Sequence, residues 1–82
     1  MRKIRWTYLA QDYFLAISSS RIQKKILMGL HNARKFPQMF PLGKSKKYTQ
    51  ARLIVQNPFV VLYEFNEDEL VVIAIYHQRQ RY

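Results

Sequence analysis

From Lys3 to Tyr8 the chain alternates, with Ile4, Trp6 and Tyr8 on one side and Lys3, Arg5 and Thr7 on the other, the two-residue period of a half-buried strand. The period then changes. Leu9, Tyr13, Ala16 and Ile17 form the apolar set of a short helix over Leu9 to Ile17, which the Ser18-Ser19-Ser20 run interrupts. Ser20 followed by Gln23 has capping-box spacing and predicts a second helix from Arg21 to Lys35. Ile22, Ile26, Leu30 and Ala33 recur along one face of it, while Arg21, Lys24, Lys25, Asn32, Arg34 and Lys35 point elsewhere.

Pro37 and Pro41 stop helical structure, and Phe36 to Gln50 holds Gly43, Lys44, Lys46 and Lys47 without clear periodicity. Three strands follow, Ala51 to Gln56, Phe59 to Phe65 and Leu70 to Tyr76, each rich in β-branched and aromatic residues. Asn57-Pro58 marks one turn and Asn66 to Glu69 the next. The last strand is apolar on both faces, which predicts a central position covered on both sides. The expected fold is α+β, in the order β-α-α-β-β-β, with two helices packed on a mainly antiparallel four-stranded sheet in one domain over residues 1–82.

Charge changes the picture. The 82 residues carry 14 Lys and Arg against five Asp and Glu, a net charge of +9. Glu64, Glu67, Asp68 and Glu69 sit together at the second turn, so Asp12 is the only acid elsewhere. Most of the surface therefore projects positive potential toward polyanions. A hydrophobic content of 49% nevertheless implies a folded domain rather than a basic tail.

With no cysteine there is no disulfide or thiolate metal site, and His31 and His77 lack ligand-spaced neighbours, so neither zinc nor another cofactor is expected. No apolar run reaches the roughly 18–20 residues that span a bilayer, and the first residues lack a secretory h-region. A cytoplasmic protein without a membrane partner is the expectation. Trp6, Tyr8 and Tyr13 have faces on which bases can stack, but the alternation assigns Trp6 and Tyr8 to the core, and Met28 and Met39 read as gap filling.

The chemistry-bearing residues gather at the end of the chain. His77, Arg79, Arg81 and Tyr82 follow directly from the most hydrophobic strand, and Arg52 reaches the same side if the meander folds back on itself. Attack of a ribose 2′-hydroxyl on its neighbouring phosphate needs a proton acceptor, a proton donor and cations for the developing charge. Arg52, His77, Arg79, Arg81 and Tyr82 supply those types without a metal ion, and Lys44, Lys46 and Lys47 would hold the RNA backbone. A histidine at a strand end is more often structural than catalytic, and charge-lined clefts also bind RNA without cutting it.

Arg52-Leu53 opening a strand, the run Pro58 to Tyr63, the turn at Asn66 to Asp68, and Leu70 through Ile75 running into His77 and Arg79 together resemble the RelE/ParE toxin superfamily of bacterial type II toxin–antitoxin systems. Phe36-Pro37 and Pro41-Leu42-Gly43 add to the likeness, which covers about two-thirds of the chain. Members resembling RelE are ribosome-dependent endoribonucleases that cut mRNA, and Tyr82 matches a tyrosine common in that branch. Members resembling ParE bind DNA gyrase and have no nuclease activity, and the strands from Pro58 to His77 resemble that branch at least as well. The segment Thr7 to Ser20 is shorter than the first helix of most relatives.

The expected function is a toxin that cleaves ribosome-bound mRNA. The alternatives are a gyrase inhibitor and a non-catalytic basic RNA-binding module. The resemblance also implies a cognate antitoxin, whose acidic or amphipathic segment is expected to cover Arg52, Arg79 and the lysine loop.

Overall fold

The computed structural model describes residues 1–79. Strand β1 (Lys3–Trp6) is followed by helices α1 (Tyr8–Ala16) and α2 (Ser20–Lys35), a 3-10 turn (Pro37–Met39), and strands β2 (Arg52–Gln56), β3 (Phe59–Phe65) and β4 (Glu69–His77). The sheet order is β1-β4-β3-β2. Strand β1 runs parallel to β4 and the other pairs are antiparallel, so the expected fold class holds with one parallel pair at an edge.

Thr7 decides where β1 stops. Its amide donates to the Val72 carbonyl at 3.1 Å, its hydroxyl accepts from the Ala10 amide at 3.1 Å, and the same hydroxyl donates to the Ile73 carbonyl at 2.7 Å. The residue that continues the alternation is thereby the N-cap of α1. Tyr8 consequently leaves the strand and is 88% exposed, contrary to its expected core position, whereas Trp6 stays half-buried with its ring 5.1 Å from that of Phe14. Ala10 and Ile17 point into the core, while Leu9 and Ala16 face outward.

The start of α2 also differs by one position. Ser19, not Ser20, is the cap, accepting from the Ile22 amide at 3.2 Å, and the Gln23 side chain instead donates to the Phe14 carbonyl at 2.9 Å. The expected capping box is replaced by a tie between the end of α1 and the first turn of α2. The expected inner face of α2 is observed: Ile26, Leu30 and Ala33 are fully buried and Ile22 packs beside them. Full burial of an Ile or Leu side chain is worth about 1.5–3 kcal/mol.

Against the helices the sheet presents Ile54 from β2, Val61 and Tyr63 from β3, and Leu70, Val72 and Ile75 from β4. A bulge makes the last set possible, because Leu62 pairs with Ala74 while Tyr63 pairs with Val72, leaving Ile73 as the extra residue. The loop after the 3-10 turn pairs with the outer edge of β2. Its Leu42 bridges Arg52, the Gly43 amide donates to the Ala51 carbonyl at 2.8 Å, and the Leu53 amide donates to the Pro41 carbonyl at 2.9 Å. A Cβ on Gly43 would lie 3.2 Å from Leu53 and 3.4 Å from Leu62, so glycine lets the loop approach these side chains closely. Strand β4 is central as expected. Met28 and Met39 are 66% and 56% exposed, so neither fills a core gap.

Candidate functional site

Hydrogen-bond register separates the residues expected to act together. Arg52 opposes Tyr63, which opposes Val72, whereas His77 opposes Phe59, which opposes Gln56. Because β2 and β4 both run antiparallel to β3, they run in the same direction, and the start of β2 lies at the end of the sheet away from His77. The separation is four residues along the strands, roughly 13 Å, and two strands across, roughly 10 Å. Arg52 thus does not share a hollow with the end of β4. Arg81 and Tyr82 lie outside the described residues.

Arg52 is engaged with the backbone instead. Its Nη1 donates to the Phe40 carbonyl at 2.6 Å and to the Gln38 carbonyl at 3.5 Å, while its Nε is buried without a hydrogen-bond partner. Beside it the Tyr63 hydroxyl donates to the Pro37 carbonyl at 2.6 Å. Burial pushes the Tyr63 phenol up to about 12, partly offset by the Arg52 charge. The group therefore remains a donor at neutral pH.

At the other end, His77 extends β4 on the helix side. Its ring meets Phe59 edge-on at 5.7 Å, and Phe59 meets Tyr13 edge-on at 6.1 Å, a row of three rings tying α1 to the sheet. The His77 Nδ1 accepts from the Arg79 amide at 3.2 Å, which places the ring proton of the neutral imidazole on Nε2. Tyr13, Ala16, Ile17, Ser18 and Phe59 line a concavity of about 300 Å³ beside this row. An imidazole, an exposed Arg79 and an aromatic wall are thus brought together here.

Lys44, Lys46 and Lys47 are exposed on the loop that leads from Gly43 to the start of β2, with the Lys47 ammonium 5.4 Å from the Tyr48 ring centre. Buried Ser45 shapes this loop by accepting from the Tyr48 amide at 3.0 Å. The exposed cations Arg21, Lys24, Lys25 and Lys35 lie on α2. Exposed positive charge is therefore carried by two separate elements, α2 and the lysine loop. Among the described residues no three His, Cys, Asp or Glu side chains are grouped to hold a metal ion, and no helix is long and apolar enough to cross a membrane.

Sequence reasoning missed the surface around the 3-10 turn. Phe36 and Met39 are 68% and 56% exposed there, beside Lys35 and Arg2, and the Arg2 guanidinium stands 5.4 Å over the Phe65 ring. Arg2 and Arg34 brace each other: Arg34 Nε donates to the Arg2 carbonyl at 2.8 Å and Arg2 Nη1 to the Arg34 carbonyl at 3.3 Å. The cue available in the sequence was two apolar residues flanking a proline just after a basic helix.

Residues 2–82 match the family model of the ParE toxin of the type II toxin–antitoxin system parDE. No curated protein sequence matches significantly. Among solved structures, the chain is similar to one in the RelB–RelE antitoxin–toxin complex from Methanococcus jannaschii, with a TM-score of 0.66 and 15% identity over 92% of this chain and 91% of that one. At this identity the likeness concerns the fold.

Proposed function

From the premise that the chain belongs to the ParE toxin family of type II toxin–antitoxin systems, we propose that it arrests growth by binding a macromolecular target stoichiometrically, and that the target is DNA gyrase. The observation that carries this reading is the separation of Arg52 from His77 and Arg79. Acid–base catalysis needs its groups within hydrogen-bond reach of common reacting atoms, about 2.6–3.2 Å. The Arg52 guanidinium is instead bonded to the Phe40 and Gln38 carbonyls, and its backbone stands roughly 13 Å along and roughly 10 Å across the sheet from that of His77. Exposed cations on both α2 and the loop after Gly43 suit association with a large partner.

A second reading, cleavage of ribosome-bound mRNA, is favoured by the pairing of the His77 imidazole with the Arg79 amide at the end of β4, just before Arg81 and Tyr82. On that reading the end of β4 supplies the acid–base and charge-stabilising groups and Lys44, Lys46 and Lys47 hold the RNA. On either reading the cognate partner is an antitoxin whose acidic or amphipathic segment orders over the basic surface.

Purified toxin added to a gyrase supercoiling reaction discriminates the two. Inhibition that saturates at a fixed toxin-to-gyrase ratio, with mRNA left intact on induction in cells, is the expected result. Primer extension showing cuts in translated mRNA that vanish in Arg79→Ala and Tyr82→Phe would overturn it in favour of the nuclease.

A further inference from the structure

The 3-10 turn Pro37–Met39 is held from beneath by two polar side chains of the sheet. Tyr63 donates to the Pro37 carbonyl and Arg52 to the carbonyls of Phe40 and Gln38. A turn fixed in this way loses little further freedom when something docks on it. What it presents outward is apolar: Phe36 and Met39 are mostly exposed, although folding normally buries such side chains. With Pro37, Gln38 and Phe65 they line a concavity of about 290 Å³, whose remaining wall is formed by Arg2 and Lys35.

We infer that this concavity is a docking site for a protein segment that inserts one bulky apolar side chain and places an adjacent carboxylate on Lys35 and Arg2. The lining favours such a segment over a nucleic acid strand. An apolar lining with two cations matches a single apolar anchor with one or two acids beside it. A polyphosphate chain would instead run past the acidic turn. That turn is adjacent, because Arg2 Nε donates to the Asn66 carbonyl and the Lys3 amide donates to the Asp68 carbonyl, which brings Glu67 and Asp68 close to the same rim. One carboxylate docked on Lys35 and Arg2 tolerates that neighbourhood better than a row of phosphates does. The site lies at the opposite end of the sheet from His77 and stands whichever target the toxin acts on.

Met39 provides its own reporter. With methionine methyl groups labelled for NMR, the protein is titrated with a five-residue peptide carrying phenylalanine flanked by aspartate and glutamate, with the same peptide carrying alanine in place of phenylalanine, and with a single-stranded oligonucleotide. The expected result is a saturable shift of the Met39 methyl, with Met28 unmoved, for the phenylalanine peptide alone. Phe36→Ala should weaken that binding at least about tenfold, and Lys35→Glu should weaken it and reduce its salt dependence. Both residues are exposed, so both variants should retain the wild-type circular dichroism spectrum. Absence of a saturable shift, equal binding of the alanine peptide, indifference to both substitutions, or a saturable shift with the oligonucleotide in place of the peptide would each overturn the assignment.

Discussion

The Tyr63 hydroxyl, at the centre of β3, donates to the carbonyl of Pro37 at 2.6 Å across 26 positions of sequence, and the residue that opposes Tyr63 in β2 is Arg52, which holds the next carbonyls of the same turn. The two side chains form one brace. Tyr63→Phe leaves the Pro37 carbonyl without this donor and should lower unfolding free energy by about 1–3 kcal/mol in urea. The same phenol sets an alkaline limit. Its folded value of about 12 exceeds the ordinary 10.0, so its contribution is complete below pH 10 and is lost as pH rises from 10 through 12. Urea unfolding across that range should show a decline that is smaller in Tyr63→Phe.

Thr7 serves two elements through one oxygen, capping α1 and bonding the carbonyl of the bulge residue Ile73. Thr7→Val keeps the shape and removes both bonds, and should cost about 1–2 kcal/mol. Thr7→Ser should recover most of that loss in the same denaturant titration.

The close approach of α2 to β2 depends on Gly29, where an added Cβ would come within 3.1 Å of Ile54. Gly29→Val demands more room than Ile54 can yield and is expected to destabilise by about 1–3 kcal/mol. Thermal unfolding followed at 222 nm checks this. Gly29→Ala should be nearly neutral, because better helix propensity offsets the crowding.

On the exposed edge, Arg5 grips Glu69 with both arms of its guanidinium, Nε to Oε2 at 3.1 Å and Nη2 to Oε1 at 3.0 Å. The hydrogen bond from Arg5, with its charge, holds the Glu69 carboxyl below the ordinary 4.5, against a smaller opposing effect of burial. Its contribution is therefore present above the ordinary glutamate range and is lost as pH falls through the lowered value. A carboxyl NMR titration should give Glu69 a lowered midpoint that returns to the ordinary one in Arg5→Gln. An unchanged midpoint would show the pair to be unformed in solution.

The lysine loop gives a prediction about association. Replacing Lys44, Lys46 and Lys47 together by alanine touches only exposed side chains, so stability should change by less than about 0.5 kcal/mol per site. Association with the purified antitoxin should slow at low salt and become less sensitive to ionic strength. Stopped-flow rates over a salt series would check it.

What could be read from the chain beforehand was whatever is encoded locally. The inner stripe Ile22, Ile26, Leu30 and Ala33 was visible because a helix repeats its face, and the three later strands because turn residues bracket them. Tyr8 was misread because the alternation of β1 continues in composition after Thr7 has already turned the backbone into a helix, a switch set by bonds to Ala10 and to distant Ile73. The capping serine was misplaced because Gln23 is drawn to the Phe14 carbonyl rather than back to its own helix start. Arg52 carried the largest error. Its residue type suggested chemistry, but its place depended on strand direction, and parallel running of β2 and β4 puts it at the far end from His77. Phe36 and Met39 gave only the weak cue of apolar residues around a proline, since their exposure follows from a brace formed by residues that lie beyond them in the chain.

Residues 3–6 find their partners only at residues 69–72. During synthesis the opening strand therefore waits, its edge unsatisfied, until residues 69–72 have left the ribosomal exit tunnel. The parallel β1–β4 pair cannot close co-translationally before residue 72 is free of the ribosome, so the sheet gains its first-made strand last.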